Sequence, residues 1–338
     1  MVYKKKKLSQ FSPKYIWGCG IALFLLIILI FKACNVLSIK QDATIAIREG
    51  SSLSKISRTL EMQKLISSSF IFRAYSKYWR TINGCAIMHL GEYNLYKNES
   101  FSSILDKLCN GKSIMKSITF PEGLETREIM EMINTNIDLV GRKIIFFEEG
   151  KLLPETYHFK SGTDREKLFE KIRSDADEFI NAEWGNREVN EFIKTPEDAI
   201  ILASIIEKEA KTDDERAIIA SVYLNRLSIK MRLEADPTTI YEITRGKYKM
   251  DRLLTRKDLE IKGNYNTYRK YGLPIAPICN PGKKSIYAVL HPAKTDYLYF
   301  VAKEDLTGHY FATNYKDHLK NIKFVKNQTV KNSGYKRS

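Results

Sequence analysis

Residues Tyr15 to Phe31 make a run of 17 residues without a charge, rich in Ile and Leu. No other feature restricts the architecture of this chain as much. Lys32 interrupts the run, but Ala33 to Ile39 is again mostly apolar, and a lysine near a helix end can carry its amine to the interface. Crossing a bilayer takes about 20 mostly apolar residues, so a single transmembrane helix is predicted over 15–37. A cleaved signal peptide is the weaker alternative, since no small-x-small cleavage site follows convincingly. Lys4, Lys5, Lys6, Lys7 and Lys14 precede the run with no acid among them. Excess positive charge stays in the cytoplasm, which puts residues 1–14 inside and everything after about residue 38 outside. No later stretch is long and apolar enough to return, so the expectation is a single-pass anchor carrying a large exported part.

The formal net charge of +15 points to nucleic acid until the charges are located. The lysines before the run carry +5, Lys32 carries +1 and the tail from Lys326 to Ser338 carries +4, leaving +5 on the exported part between them. That modest balance suits a weakly anionic polymer, and a solvated surface explains it equally well. No stretch past the anchor concentrates Lys/Arg with aromatics as a nucleic-acid groove would, so no nucleic-acid partner is expected. Of five cysteines, Cys85, Cys109 and Cys279 fall on the exported side without CxxC spacing. Neither zinc nor a redox pair is indicated, and Cys85 and Cys109 are read as either bridged or free and buried. The five histidines show no HExxH or other metal spacing, so no metal and no cofactor is expected.

The fold class read from the pattern is α+β, with two exported domains in roughly 290 residues. Three segments share a strand–turn–helix rhythm: Thr44 to Leu60, Tyr93 to Leu108, and Ser117 to Ile133. Each begins with alternating residues, turns at Gly or Asn, then shows apolar spacing near 3.6. In the first, Gly50-Ser51 followed by Ile56 and Leu60 resembles LysM modules, small folds that grip amino-sugar chains. Between about Gly141 and Trp184 the pattern predicts mainly helix, interrupted by Gly150 to Tyr157. Two apolar helices in tandem follow, the second opening at Asp213 or Asp214 and running through Ile229 with Ile218, Ile219, Val222, Tyr223 and Leu227 inward. A loop-rich region then carries Glu234 to Thr238 and Tyr265 to Gly282, where sites tend to form. Tyr297 to Val301 predicts a buried strand paired with His309 to Ala312. Residues from Lys326 onward are expected to be disordered.

The first tandem helix carries the sharpest chemical signal. Thr195 suits its cap, Pro196 its first turn, and Glu197 and Asp198 complement its positive end. Its greasy interior, Ile200 to Ile206, ends in Glu207-Lys208-Glu209. A carboxyl moved out of water prefers its neutral form, the condition for a general acid at pH 7. At about 100° per residue, Glu207 shares a face with Ile200, Ala203, Ser204, Ala210 and Lys211, mostly small, while Glu209 points nearly the opposite way. Glu207 has a structural alternative in an ion pair with Lys211 or with Arg216 on the next helix. Periodicity alone does not choose between Glu207 and Glu209.

The run Ala203-Ser-Ile-Ile-Glu-Lys-Glu-Ala210 resembles the central motif of the YceG-like endolytic murein transglycosylases. Pro121-Glu-Gly123, Pro154-Glu-Thr-Tyr157, Val222 to Leu227 and Asp236-Pro-Thr238 continue the likeness. Tyr265-Asn-Thr-Tyr268, Gly272-Leu-Pro274, Asn280-Pro-Gly282, His291-Pro292 and Tyr299-Phe-Val301 extend it in the family's order, over nearly everything after the anchor. The resemblance implies a LysM-like module over 43–115, a mixed helical and β catalytic domain over 116–325, and a basic disordered tail over 326–338. It implies a bacterial cytoplasmic-membrane protein with its catalytic part outside, acting on peptidoglycan strands, with peptidoglycan synthases as candidate partners.

The reaction so implied is endolytic cleavage of the β-1,4 bond between N-acetylmuramic acid and N-acetylglucosamine in nascent peptidoglycan, limiting or terminating strand growth. It is not hydrolytic: the muramic 6-hydroxyl closes on its own anomeric carbon, leaving a 1,6-anhydro end. The family's catalytic glutamate is the first of the E-K-E motif, which falls on Glu207 as sole acid and base. An ordinary glycosidase needs a second carboxylate, whereas here the attacking oxygen is tethered to the substrate. Glu234 stands where relatives usually carry Gln, which admits a competing hydrolytic route through Glu207 and Glu234. Asp236 and Asn266 are candidate walls of the substrate site, with loop capping as their alternative role. A non-catalytic wall-binding scaffold is the remaining reading.

Overall fold

A computed structural model of the chain describes residues 36–48 and 50–334, with side chains through residue 328. The expected anchor therefore lies outside the described residues except for its last two. Among the described residues no helix is long and apolar enough to cross a membrane. Two compact units are present, one reaching Lys116 and taking in Lys160–Thr163, the other formed by Ser117–Phe159 and the chain from Asp164.

In the first unit, the strands Ala43–Ile47 and Gly91–Leu95 pair antiparallel, from Ala43 against Leu95 to Ile47 against Gly91. The alternation seen in the sequence is physical: Ile45 and Ile47 are buried while Thr44 and Ala46 face away. Between the strands lie the helices Leu53–Met62 and Ser69–Ile82, and Phe101–Cys109 follows them. Each helix opens on a serine, Ser52, Ser68 and Ser100, whose side chain accepts a backbone N–H three residues on. Leu60, Phe72, Tyr93, Phe101 and Leu105 fill the core, with the Phe72 and Phe101 rings edge to face at 4.9 Å.

Cys85 and Cys109 are joined in a disulfide, 24 residues apart in sequence. Closing a loop of that size restricts the unfolded chain. Replacing both cysteines by serine should therefore cost this unit about 3 kcal/mol. A urea midpoint that drops on adding reductant to the wild type, but not to the double-serine protein, measures it.

The second unit begins with the third strand–turn–helix segment, Met115–Thr119 leading to the helix Thr126–Thr135. Its strand pairs with Thr156–Lys160, and Ile118, Phe120, Ile129, Ile133 and Phe159 form a small core with Leu168, Phe169 and Ile172 of the helix Arg165–Gly185. The helix expected soon after Gly141 is absent. Residues 141–155 are loop, and Ile145 and Phe146 are exposed there rather than packed. Ile144 and Phe147 on either side of them pack on the small core, a spacing that extended chain satisfies without a helix.

The centre of this unit is the helix Pro196–Glu209, in which every residue from Ala199 to Ile206 is buried. Thr195 and Asp198 form a reciprocal capping box, Asp198 N donating to Thr195 Oγ1 at 3.1 Å and Thr195 N to Asp198 Oδ2 at 2.9 Å. A helix apolar all round must be enclosed. The helices Arg216–Ser228 and Lys283–Leu290 pack on it. The second tandem helix is preceded by a 3₁₀ turn over Asp213–Glu215 and stops at Ser228; of the five residues expected inward, Ile219, Val222 and Tyr223 are buried, and Ile218 and Leu227 only partly so.

The strand Tyr299–Ala302 pairs antiparallel with His309–Ala312, but its side chains are half-buried rather than enclosed. The residues from Lys326 were expected to be disordered. Through Gly334 they instead continue the helix Tyr315–Gly334, because its first turns pack on the hairpin and a polar sequence needs only that nucleus to propagate.

Candidate active site

Two carboxyls leave the last turn of the central helix on opposite sides, and their surroundings differ in kind. Glu207, with only 6% of its side chain exposed, meets Arg216. The guanidinium donates to Oε1 at 3.0 Å and Gly282 N donates to Oε2 at 2.9 Å. Arg216 also donates to Ser285 Oγ at 2.5 Å and Asp213 Oδ1 at 3.2 Å, with Glu122 at 3.7 Å. The loops Pro121–Gly123 and Asn280–Gly282 close this side. Gly123, at φ +78°, brings its backbone so near that a Cβ would sit 3.3 Å from Glu207 Cγ. A Cβ on Gly282 would overlap the Glu122 carboxyl. Burial, and then the Glu207 charge, push the Glu122 carboxyl above its usual range.

Glu209 has a different neighbourhood. Burial first, and then the Asp236 carboxylate, push its carboxyl up to about 7, against a lowering hydrogen bond from the Tyr223 hydroxyl. Its place at the C-terminal end of the helix, where the macrodipole is negative, works in the same direction. The residue keeps partial solvent exposure. Asp236 is exposed at the start of the helix Asp236–Thr244 and accepts from the Tyr268 hydroxyl at 2.7 Å. Arg226 is held behind Glu209 by donating to Leu298 O at 2.7 Å and Leu233 O at 2.6 Å.

The four expected site residues therefore separate. Asp236 joins the Glu209 cluster. Glu234, exposed and with φ +47°, acts with Asp236 and Glu209 on the Tyr268 hydroxyl, which places it on the Glu209 side rather than with Glu207. Asn266 is fully buried and fully used. Its amide donates to Leu259 O and Ile261 O, and its oxygen accepts from Thr239 Oγ1 and Tyr268 N. An amide offers no more bonds than these, so Asn266 staples its loop, the capping role foreseen as its alternative. Of the two structural partners foreseen for Glu207, it pairs with Arg216 and not with Lys211. Among the described residues no group of His, Cys, Asp or Glu is placed to hold a metal ion.

The arrangement supplies a carboxyl able to hold a proton at neutral pH, a second carboxylate beside it, and two tyrosine hydroxyls. Such a set has the chemistry to protonate a leaving oxygen and to steady positive charge developing next to it.

The model of the YceG-like family matches residues 45–324. This chain belongs to the YceG-like family. Similar proteins include the endolytic murein transglycosylase of Bacillus subtilis (strain 168), 33% identical over 298 residues that cover 79% of this chain and 80% of that one. The endolytic murein transglycosylase of Streptococcus pneumoniae serotype 2 (strain D39) is 25% identical, covering 84% of this chain and 58% of the pneumococcal protein. This chain thus spans under two thirds of that relative's length. Among solved structures, a YceG-like protein from Listeria monocytogenes is 31% identical with a TM-score of 0.51, covering 83% of this chain and 98% of that one.

In this YceG-like chain the sequence reading missed Glu122, Tyr223 and Tyr268 as site residues. Tyr223 and Tyr268 lie inside recognised motifs, Val222–Leu227 and Tyr265–Tyr268, but their hydroxyls meet Glu209 and Asp236 only through packing of separate helices and loops.

Proposed function

We propose that this protein cuts peptidoglycan glycan strands from within, as a lytic transglycosylase, and that Glu209 rather than Glu207 is its general acid. The choice rests on surroundings: Glu209 lies enclosed beside Asp236, and burial and that carboxylate push its carboxyl up to about 7 against the bond from Tyr223. Glu207, which the resemblance makes the acid, has both oxygens taken by Arg216 and Gly282, and Glu207→Gln in the cleavage assay decides between the two. Protonated Glu209 donates to the oxygen of the β-1,4 bond between N-acetylmuramic acid and N-acetylglucosamine. Asp236 faces the oxocarbenium-like charge that builds on the anomeric carbon. The muramic 6-hydroxyl attacks that carbon, its proton passes to the Glu209 carboxylate, and a 1,6-anhydro end remains. Family membership and the names of the relatives support the substrate.

The order of two strands enclosing two helices in the first unit supports a LysM-like grip on the same strands. The apolar run over 15–37 supports a single-pass anchor with the active part outside the cytoplasmic membrane, close to nascent strands and to the synthases that make them.

Digestion of peptidoglycan by the full chain in detergent, followed by mass analysis of the muropeptides, tests this. Anhydro ends that vanish with Glu209→Gln are the expected result. A hydrolytic reading is favoured by one observation, the second carboxylate Asp236 beside Glu209. Reducing ends that require Asp236 would establish it, and binding without cleavage would leave a scaffold.

The pH profile provides a further check. An acid with its pKa near 7 is protonated below that value, so cleavage should be flat through pH 6 and fall about tenfold per unit above 7. Initial rates of muropeptide release between pH 5 and 9 measure this. A rate that climbs through pH 7 would remove Glu209 from the acid's role.

A further inference from the structure

A cavity of about 440 Å³ opens between the Glu122–Glu128 turn and the end of the Asp236–Thr244 helix, with Lys208 on its wall. Its lining includes Gly123, whose backbone closes on Glu207, and Pro237, next to Asp236, so the cavity borders the surroundings of both carboxyls of the E-K-E motif. Its volume lies in the range of pockets that enclose a small organic ligand, well above what a lone anion fills.

The polar groups on its walls are unevenly satisfied. Arg252 is committed to Asp258 through two bonds of 2.6 and 3.0 Å, and Arg127 to Gly246 O at 2.7 Å. Lys208 and Lys249 are exposed and have no carboxylate within 4 Å among the described residues. Thr244 is buried, and its Oγ1 finds no hydrogen-bond partner there. A helical threonine ordinarily donates to the carbonyl four residues back, so this hydroxyl is held away from its usual partner. Tyr241, Tyr248, Pro237 and Ile240 provide apolar surface, and Glu125 stands opposite, part-buried. The walls thus combine exposed amines, an idle hydroxyl, apolar patches and the carboxyls of Glu122, Glu125 and Glu128. A polyphosphate would be repelled by the acids, whereas a short peptide bearing carboxylates, methyl groups and an amine matches every wall.

We propose that this cavity receives the peptide substituent of the muramic acid, its carboxylates on Lys208 and Lys249 and the Thr244 hydroxyl, its amine toward Glu125. The assignment rests on the transglycosylase reading above. It makes the enzyme a reader of the stem as well as a cutter of the strand.

The test uses the full chain in detergent with two substrates, glycan strands carrying their stems and the same strands stripped by an amidase. The wild type should cut stemmed strands at least tenfold faster in kcat/KM. The ratio should fall toward one in the double variant Lys208→Met, Lys249→Met. In Thr244→Val the ratio should fall while the melting temperature holds or rises, since an isosteric change that removes an unpartnered hydroxyl does not weaken the fold. Equal cutting of both substrates by the wild type, or a ratio untouched by these variants, would overturn the assignment. A calorimetric titration with N-acetylmuramyl tripeptide judges the cavity independently of cleavage. The double lysine variant should bind at least tenfold more weakly, and equal affinity would overturn the site. Failure of the wild type to cut either substrate would count against the transglycosylase reading, and the titration would still decide the cavity.

Discussion

Glu209→Gln should lower cleavage of glycan strands by about a thousandfold while leaving the protein folded, because a positioned general acid contributes about 10²–10⁴ in rate. Glu207→Gln serves as the comparison: it keeps the shape of a side chain bonded to Arg216 and Gly282 and should lower activity far less. The reverse order of effects would return the acid to Glu207. Stability carries an independent signature. A carboxyl with its pKa raised from 4.5 to about 7 in the folded state contributes stability that is complete below pH 4.5 and is lost as pH rises through 7. At pH 8 the wild type therefore bears a cost of about 3 kcal/mol at this residue. The amide, which does not ionise, should unfold later than the wild type at pH 8 and no later at pH 4. A residue that gains stability and loses activity on the same substitution is doing chemistry rather than holding structure.

Arg216→Met should be the most destabilising single change in the second unit, by about 3–5 kcal/mol, since it strands a buried charge. Glu207 would keep only the Gly282 N–H, in a site with 6% of its side chain exposed. The same guanidinium also ties Ser285 and Asp213, so its removal unties the helix Lys283–Leu290 from the second tandem helix and loosens the 3₁₀ turn before it. Urea unfolding measures the loss. Adding Glu207→Gln to Arg216→Met should restore much of it, because an amide needs no counter-charge. A single-variant loss under 1 kcal/mol, with no recovery in the double variant, would show that this pair is not what joins the loops to the central helix.

Much of the fold was legible because its signals are local. Thr195 and Pro196 mark the start of the central helix, and the alternation from Thr44 to Ile47 marks a strand face. The errors arose where packing decides. The stretch after Gly141 read as helix, yet only Ile144 and Phe147 of its apolar run pack, and the Lys- and Asn-rich residues after Lys326 gained helicity from the packed turns before them. For Asn266 the sequence left a site wall and a loop cap both open. Only the fold shows its amide spent on four internal bonds.

The sequence by itself determined that a helix apolar on every side ends in two glutamates facing opposite ways, since 3.6-residue periodicity and capping are properties of neighbouring residues. Which of the two keeps a proton was decided only by tertiary structure. Arg216 and the Gly282 amide reach one carboxyl, while Tyr223, Asp236 and the helix terminus surround the other. Proton affinity follows the field of groups brought together across the fold, and that field has no linear signature.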